Sequence, residues 1–220
     1  MLFEPDIKKQ LLERRQLHRI LADHTWIFGE EYNLAVDDES LTAVLRQHVK
    51  LLGRQELAPP APVRGSGGKQ QIVDMMLSKT IPQNRAEERE HLIIELKRPS
   101  QKVDQKVFNQ VSSYALAVAK DERFRDVNTN WIFWALSNDR DDFVDAQARS
   151  PGRPRGVIGQ FETPRITIWA KTWGDVINEA RARLEFFRRQ LNYSVDSETS
   201  LESLRKTHER YFPPALTIEA

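Results

Sequence analysis

The run His91-Leu92-Ile93-Ile94-Glu95-Leu96-Lys97-Arg98-Pro99 constrains this chain more than any other stretch. It is short, apolar and rich in isoleucine and leucine, the signature of a buried strand. Residues i and i+2 of a strand share a face, so Glu95 and Lys97 project together while Leu92, Ile94 and Leu96 face a core. Pro99 stops the strand because proline has no N–H for a ladder. A carboxylate and an ammonium at the end of a buried strand are costly unless they are paired or given a task.

Around this run the chain has room for one sizeable core or one core plus a small appendage, with 220 residues, 40% apolar and 30% charged. Lys and Arg number 33 against 32 Asp and Glu, so the net charge of +1 gives no hint of nucleic acid. A near-neutral sum can still hide a basic face opposite an acidic pocket. With no cysteine, disulfides and thiolate metal sites are excluded. No apolar run approaches membrane-spanning length and no signal-peptide pattern opens the chain, so a soluble, cytoplasmic protein is expected.

In chain order, Asp6 is placed to cap a helix running to about Asp23. Trp26-Ile27-Phe28-Gly29-Glu30-Glu31-Tyr32 sets aromatics around a glycine and is expected to dock on the core. Asp37-Asp38-Glu39 is expected to open a second helix, with acids at its positive end and Leu41, Val44, Leu45, His48 and Leu52 as its stripe. Residues 53 to 71 read as a loop. Ile72 to Ser78 form a strand that pairs antiparallel with the run at 91–99 across a turn at 82–90. A helix is expected from Lys102 to Ala119, with Val103, Val107, Val111, Ala115 and Val118 inward. Trp131–Leu136 reads as a central strand, 141–148 as a short helix, 149–156 as a basic loop, Arg165–Ala170 as a strand and Trp173–Leu191 as a long amphipathic helix. A last helix is expected at 201–211. The order predicts an α/β fold with a mixed sheet. Its parts are an N-terminal helical portion (1–55), the core proper (56–193) and a C-terminal tail (194–220).

Asp74, in the strand before the run, joins Glu95 and Lys97. If the two strands are neighbours, both carboxylates can converge on one hard divalent cation, Mg²⁺ or Mn²⁺, which takes few protein oxygens and keeps several waters. Lys97 then stands where it can position or deprotonate a water, or offset charge on a phosphate. Gln110, on the following helix, faces the sheet and can orient Lys97 or contact a phosphate. An exposed E-x-K alone is commonly a plain surface ion pair. Here it ends an apolar strand, has a second acid in the strand before it, and precedes a Gln-x-x-x-Tyr helix.

Asp74, Glu95-Leu96-Lys97 and Gln110-Val111-Ser112-Ser113-Tyr114 together resemble the PD-(D/E)xK nuclease superfamily, including the Gln-x-x-x-Tyr feature of its RecB-like members. More closely, the chain resembles the Shedu family of bacterial anti-phage proteins. The resembling stretches are Leu17–Leu21 leading into Trp26–Tyr32, Ile72–Leu77, Ile94–Pro99, Asn109–Tyr114 and Thr167–Trp169, which together cover most of the chain. The resemblance implies a restriction-endonuclease-like core, a divalent-metal DNA nickase or endonuclease, a homo-oligomer and a role against phage DNA. It also implies a sensor or ATPase region, fused or separate. The superfamily often adds an acid from its first helix, for which Glu30, Glu31 and Glu39 are candidates and Glu31 is preferred as the third metal ligand.

The five histidines are scattered without metal spacing. Trp131, Trp134, Trp169 and Trp173 can stack bases but belong more naturally to a core. Arg149, Arg153 and Arg155 in a Pro/Gly loop are candidates to follow a phosphate backbone, with Tyr114 as a further DNA contact. Two rival readings stand beside the nuclease. One is a nuclease-like module that binds DNA ends or a partner without cutting. The other is an oligomerisation scaffold for a fused sensor or ATPase.

Overall fold

Strand β3 (Arg89–Leu96) is buried on both sides, and that dictates the layering. Ile93 belongs to one apolar cluster, and Leu92, Ile94 and Leu96 belong to a second on the opposite face. A strand of this kind needs helices above and below it. The computed structural model describes residues 17–59, 61–64, 72–79, 88–121 and 128–191, together with Phe3, Lys206 and Thr207.

The sheet has six strands in the order β1-β2-β3-β4-β6-β5. They are β1 (Tyr32–Ser40), β2 (Ile72–Lys79), β3, β4 (Thr129–Ser137), β5 (Val157–Phe161) and β6 (Arg165–Thr172). β2 runs antiparallel to both β1 and β3, the strands β3, β4 and β6 are parallel to one another, and β5 closes the far edge antiparallel to β6. The parallel step from β3 to β4 needs a crossover, supplied by helix α3 (Gln105–Ala119). Before it come α1 (His18–Asp23) and α2 (Leu41–Leu51), and after it α4 (Asp142–Ala148) and α5 (Trp173–Leu191). Leu41, Val44 and Leu45 of α2, Val107, Val111 and Ala115 of α3, and Val144 and Ala148 of α4 fill one face. Leu21 of α1 and Trp173 and Val176 of α5 fill the other. The fold is α/β, a mixed sheet flanked by helices, as expected of a restriction-endonuclease-like core.

Helix starts follow local chemistry. Ser40, Asp104 and Asp141 each accept a backbone N–H of the first turn, from Ala43, Val107 and Val144 respectively. Thr172 and Asp175 cap α5 reciprocally, each side chain taking the other's backbone N–H. None of the described helices is long and apolar enough to cross a membrane.

Three expectations are corrected or bounded. Asp37, Asp38 and Glu39 do not open a helix; they end β1, and the helix begins after Ser40. β1 is an edge strand, so its acids can face water while its backbone pairs with β2 on one side only. Val157–Phe161, unassigned in the sequence reading, forms the other edge strand. Of the helix expected at 6–23 only His18–Asp23 is described, and the one expected at 201–211 lies outside the described residues apart from Lys206 and Thr207.

Candidate active site

The ladder between β2 and β3 ends before either strand does. Its last rung is Met75 with Ile94. Beyond it Ile72 and Val73 pair with Ser40 and Glu39 of β1, while Glu95 and Leu96 pair with Ala135 and Leu136 of β4. The central sheet therefore forks, and Asp74 and Glu95 are the first residues of the two prongs. Both are buried, at 1% and 4% exposure. The Asp74 carboxylate does what a ladder carbonyl would have done: its Oδ2 accepts the backbone N–H of Leu96 at 2.7 Å. That bond holds one carboxylate against the end of the neighbouring strand.

Glu95 is held by three side chains. Lys97 Nζ donates to its Oε1 at 2.6 Å, and Gln110 Nε2 donates to the same oxygen at 2.8 Å. Tyr114 Oη lies 3.1 Å from Oε2 and 2.8 Å from the carbonyl oxygen of Ile72, so its one proton has two acceptors. Gln110 Nε2 also donates to Tyr114 Oη at 2.6 Å, and Gln110 Oε1 accepts from Lys97 at 3.4 Å. Gln110 thus uses both amide hydrogens and its carbonyl within the cluster. The i, i+4 spacing of Gln110 and Tyr114 on α3 puts both over the Glu95 face of the sheet. Burial first, and then the Glu95 charge, push the Tyr114 phenol far above its ordinary range. Tyr114 is therefore a neutral donor and acceptor, not a base.

The sequence placed Asp74, Glu95, Lys97 and Gln110 in one site, and the structure brings these four side chains together. Tyr114, expected at DNA, is instead 1% exposed and turned inward to Glu95. Its partnership with the acid was missed, although its spacing from Gln110 was the available signal. Glu31 is not brought to the fork. It precedes β1 at the end where Tyr32 pairs with Lys79, whereas Ser40 pairs with Ile72 at the fork end. There Glu31 holds Lys79 at 2.7 Å, and the same ammonium holds Glu90 at 2.8 Å. Glu30 lies against Arg183 of α5, at 3.3 Å. Glu39 does lie beside the fork in register, paired with Val73, on an exposed stretch of β1. Its neighbour Asp38, which has a positive φ of 49°, reads in the sequence only as part of a helix start and not as a third metal ligand.

Among the described residues no group of three or more His, Cys, Asp or Glu side chains is arranged to hold a metal ion. The pair at the fork suits a magnesium-like ion nonetheless: hard, buried carboxylate oxygens, few in number, beside a strand end that has lost its ladder. Arg149, Arg153 and Arg155 line one concavity in the loop before β5, away from these carboxylates.

A second buried polar pair was not foreseen. His48 of α2 and His91 of β3, both 0% exposed, share a hydrogen bond of 2.7 Å between Nδ1 and Nε2, with Trp131 packed against both rings. Desolvation lowers both histidines, His48 to about 3 and His91 well below its usual value. Both residues stand on apolar stripes, where a histidine reads as a packed core group. Compared with protein-family models, curated proteins and solved structures, the chain matches none.

Proposed function

We propose that this chain is a divalent-metal-dependent DNA endonuclease or nickase of the PD-(D/E)xK type, acting in bacterial defence against phage as a homo-oligomer. The observation that carries the reading is the fork, where Asp74 and a Glu95–Lys97–Gln110–Tyr114 network meet at the point where two paired strands separate. An ordinary ion pair needs no such setting. Burying it costs desolvation, and a well-packed apolar pair serves stability equally well.

Asp74 and Glu95 would hold Mg²⁺ or Mn²⁺, which supplies phosphate charge neutralisation and a bound water of lowered pKa. The protein's own contribution is positional. The Leu96 N–H fixes Asp74, and Gln110 and Tyr114 fix both oxygens of Glu95. Lys97, half-tethered to Glu95 and Gln110, keeps its ammonium next to the carboxylates. There it can orient a water for attack or balance charge growing on a phosphate oxygen.

The second reading is a binding module that does not cut. It is favoured by Glu95 Oε1 already accepting two donors, and by the described residues gathering two acids at the fork where many metal sites use three. One experiment separates the two. Supercoiled and linear DNA are incubated with Mg²⁺ or Mn²⁺, with Lys97→Ala and EDTA as controls. Nicking abolished by both controls supports the enzyme. Retained DNA binding without turnover selects the module.

A further inference from the structure

We infer that the loop joining α4 to β5 is a second phosphate seat, which grips a non-reacting phosphate of the same DNA duplex through Arg153 and Arg155. This rests on the DNA-processing reading above and extends it to a footprint. Arg149, Ser150, Arg153 and Arg155 line a concavity of about 260 Å³. Arg149 has its acid, Asp145, at 2.7 Å, while among the described residues Arg153 and Arg155 have no acidic partner. Two guanidinium groups facing one hollow repel each other, an arrangement that an anion relieves. Guanidinium and phosphate match in geometry as well as in charge.

The loop is built to hold its shape. Gly156 donates its N–H to Ala148 O at 2.8 Å and accepts from Ala170 N at 2.9 Å, and Val157 N–H closes onto Pro154 O at 3.0 Å. Gly156 has a φ of +98°, and a Cβ there would come within 3.3 Å of the Trp169 ring. The sequence thus keeps a glycine where the loop presses on the sheet. Arginines on an anchored loop lose less freedom on binding than arginines on a free one.

Sheet register puts this loop at the same end of the sheet as the fork. Glu95 pairs with Ala135, Ala135 with Ala170, and Ala170 donates to Gly156. The loop therefore lies on the rung of Glu95, three strands away, about 14 Å at about 4.8 Å per strand. That is roughly four base-pair steps along a duplex at about 3.4 Å per step. Arg98, Lys102 and Lys106, which follow the end of β3 into the first turn of α3, are exposed as well.

The test uses the full chain and a fluorescein-labelled 20-base-pair duplex in EDTA, with binding read by anisotropy from about 50 to 200 mM salt. Arg153→Ala/Arg155→Ala is expected to weaken binding about tenfold or more at the lowest salt. It should also make the log–log salt slope shallower by about 0.9, the release from one phosphate. Arg153→Lys/Arg155→Lys should restore most of that slope. If the double alanine variant melts early, the exposed Arg155→Ala change alone should make the slope shallower by up to about 0.9. An unchanged slope in a folded variant overturns the seat and leaves the nuclease reading standing on its cleavage assay. A wild-type chain that binds the duplex through these arginines but never cuts it keeps the seat and overturns the nuclease. A wild-type chain that binds no duplex overturns the seat, and one that also fails to cut with Mg²⁺ or Mn²⁺ overturns both.

Discussion

Asp74 and Glu95 are the first residues of β2 and β3 beyond the last rung that joins the two strands, Met75 with Ile94. Each strand then follows a different neighbour, β1 for one and β4 for the other. Losing a ladder inside a buried sheet leaves backbone groups to satisfy. The Asp74 carboxylate answers one of them by accepting the Leu96 N–H, and Tyr114 answers another through the Ile72 carbonyl. The groups that repair the fork are those that assemble the candidate site, so fold and chemistry are hard to separate here by deletion. Conservative changes are the informative ones.

Lys97→Ala is expected to lower metal-dependent cleavage by two to four orders of magnitude, the usual scale for losing a positioned acid–base or charge-stabilising group. The lysine side chain is 12% exposed and its Glu95 partner 5%, so removal also costs about 1–3 kcal/mol of stability. Glu95→Gln should abolish cleavage while retaining the fold. Rates from single-turnover assays, with melting curves alongside, check both. Full activity in either variant would remove the site from Asp74 and Glu95.

Tyr114→Phe deletes a hydroxyl within reach of Glu95, Gln110 and Ile72, and should cost about 1–3 kcal/mol with a smaller activity loss than Lys97→Ala. Both Tyr114 and Tyr32 have phenols raised far above the ordinary range, in each case chiefly by burial. A raised folded pKa means that ionisation favours the unfolded chain. The stabilisation is complete below the unfolded value near pH 10 and is lost as pH rises beyond it. Ultraviolet titration should show two tyrosines ionising only as the protein unfolds.

His48 and His91 give the opposite sign. Their folded pKa values are depressed by burial, so protons bind the unfolded chain first. Stability is full above the unfolded value of about 6.5 and falls as pH drops below it, by at most about 1.4 kcal/mol per pH unit for each histidine. Urea midpoints at about pH 7.5 and pH 5 should differ accordingly. His91→Leu should flatten that difference; an equally acid-sensitive variant would place the effect elsewhere.

Two glycines of the arginine loop should behave differently. Gly156→Ala meets the Trp169 ring at 3.3 Å from a φ of +98°, and should cost about 2 kcal/mol or more. Gly152 has a φ of +80° with nothing near its missing Cβ, so Gly152→Ala should cost only the backbone term of about 1–2 kcal/mol. Thermal melts of the two variants compare them directly. Equal losses would mean that Trp169 yields to the new methyl group.

The sequence by itself determined the elements whose pattern is internal to them. The helix Trp173–Leu191 has the bounds its amphipathic period implied, and Val107, Val111, Ala115 and Val118 form the inward stripe expected of α3. Glu95 and Lys97 share a face because of strand geometry alone, and the pairing of their strand with Ile72–Ser78 followed from the intervening turn. Only the tertiary structure decided what depends on neighbours. An edge strand with one paired side can be rich in acids, so Asp37–Glu39 read as a helix start until β2 was seen alongside. Which acid reaches the fork is a matter of register: Glu31 and Glu39 lie on or next to one strand, but only Glu39 sits at the fork end. Tyr114 turns inward because the β2 carbonyl of Ile72 and the Glu95 carboxylate await its hydroxyl there. Periodicity reports which face of an element is buried, whereas a polar group's partner is set by whatever the fold brings opposite it.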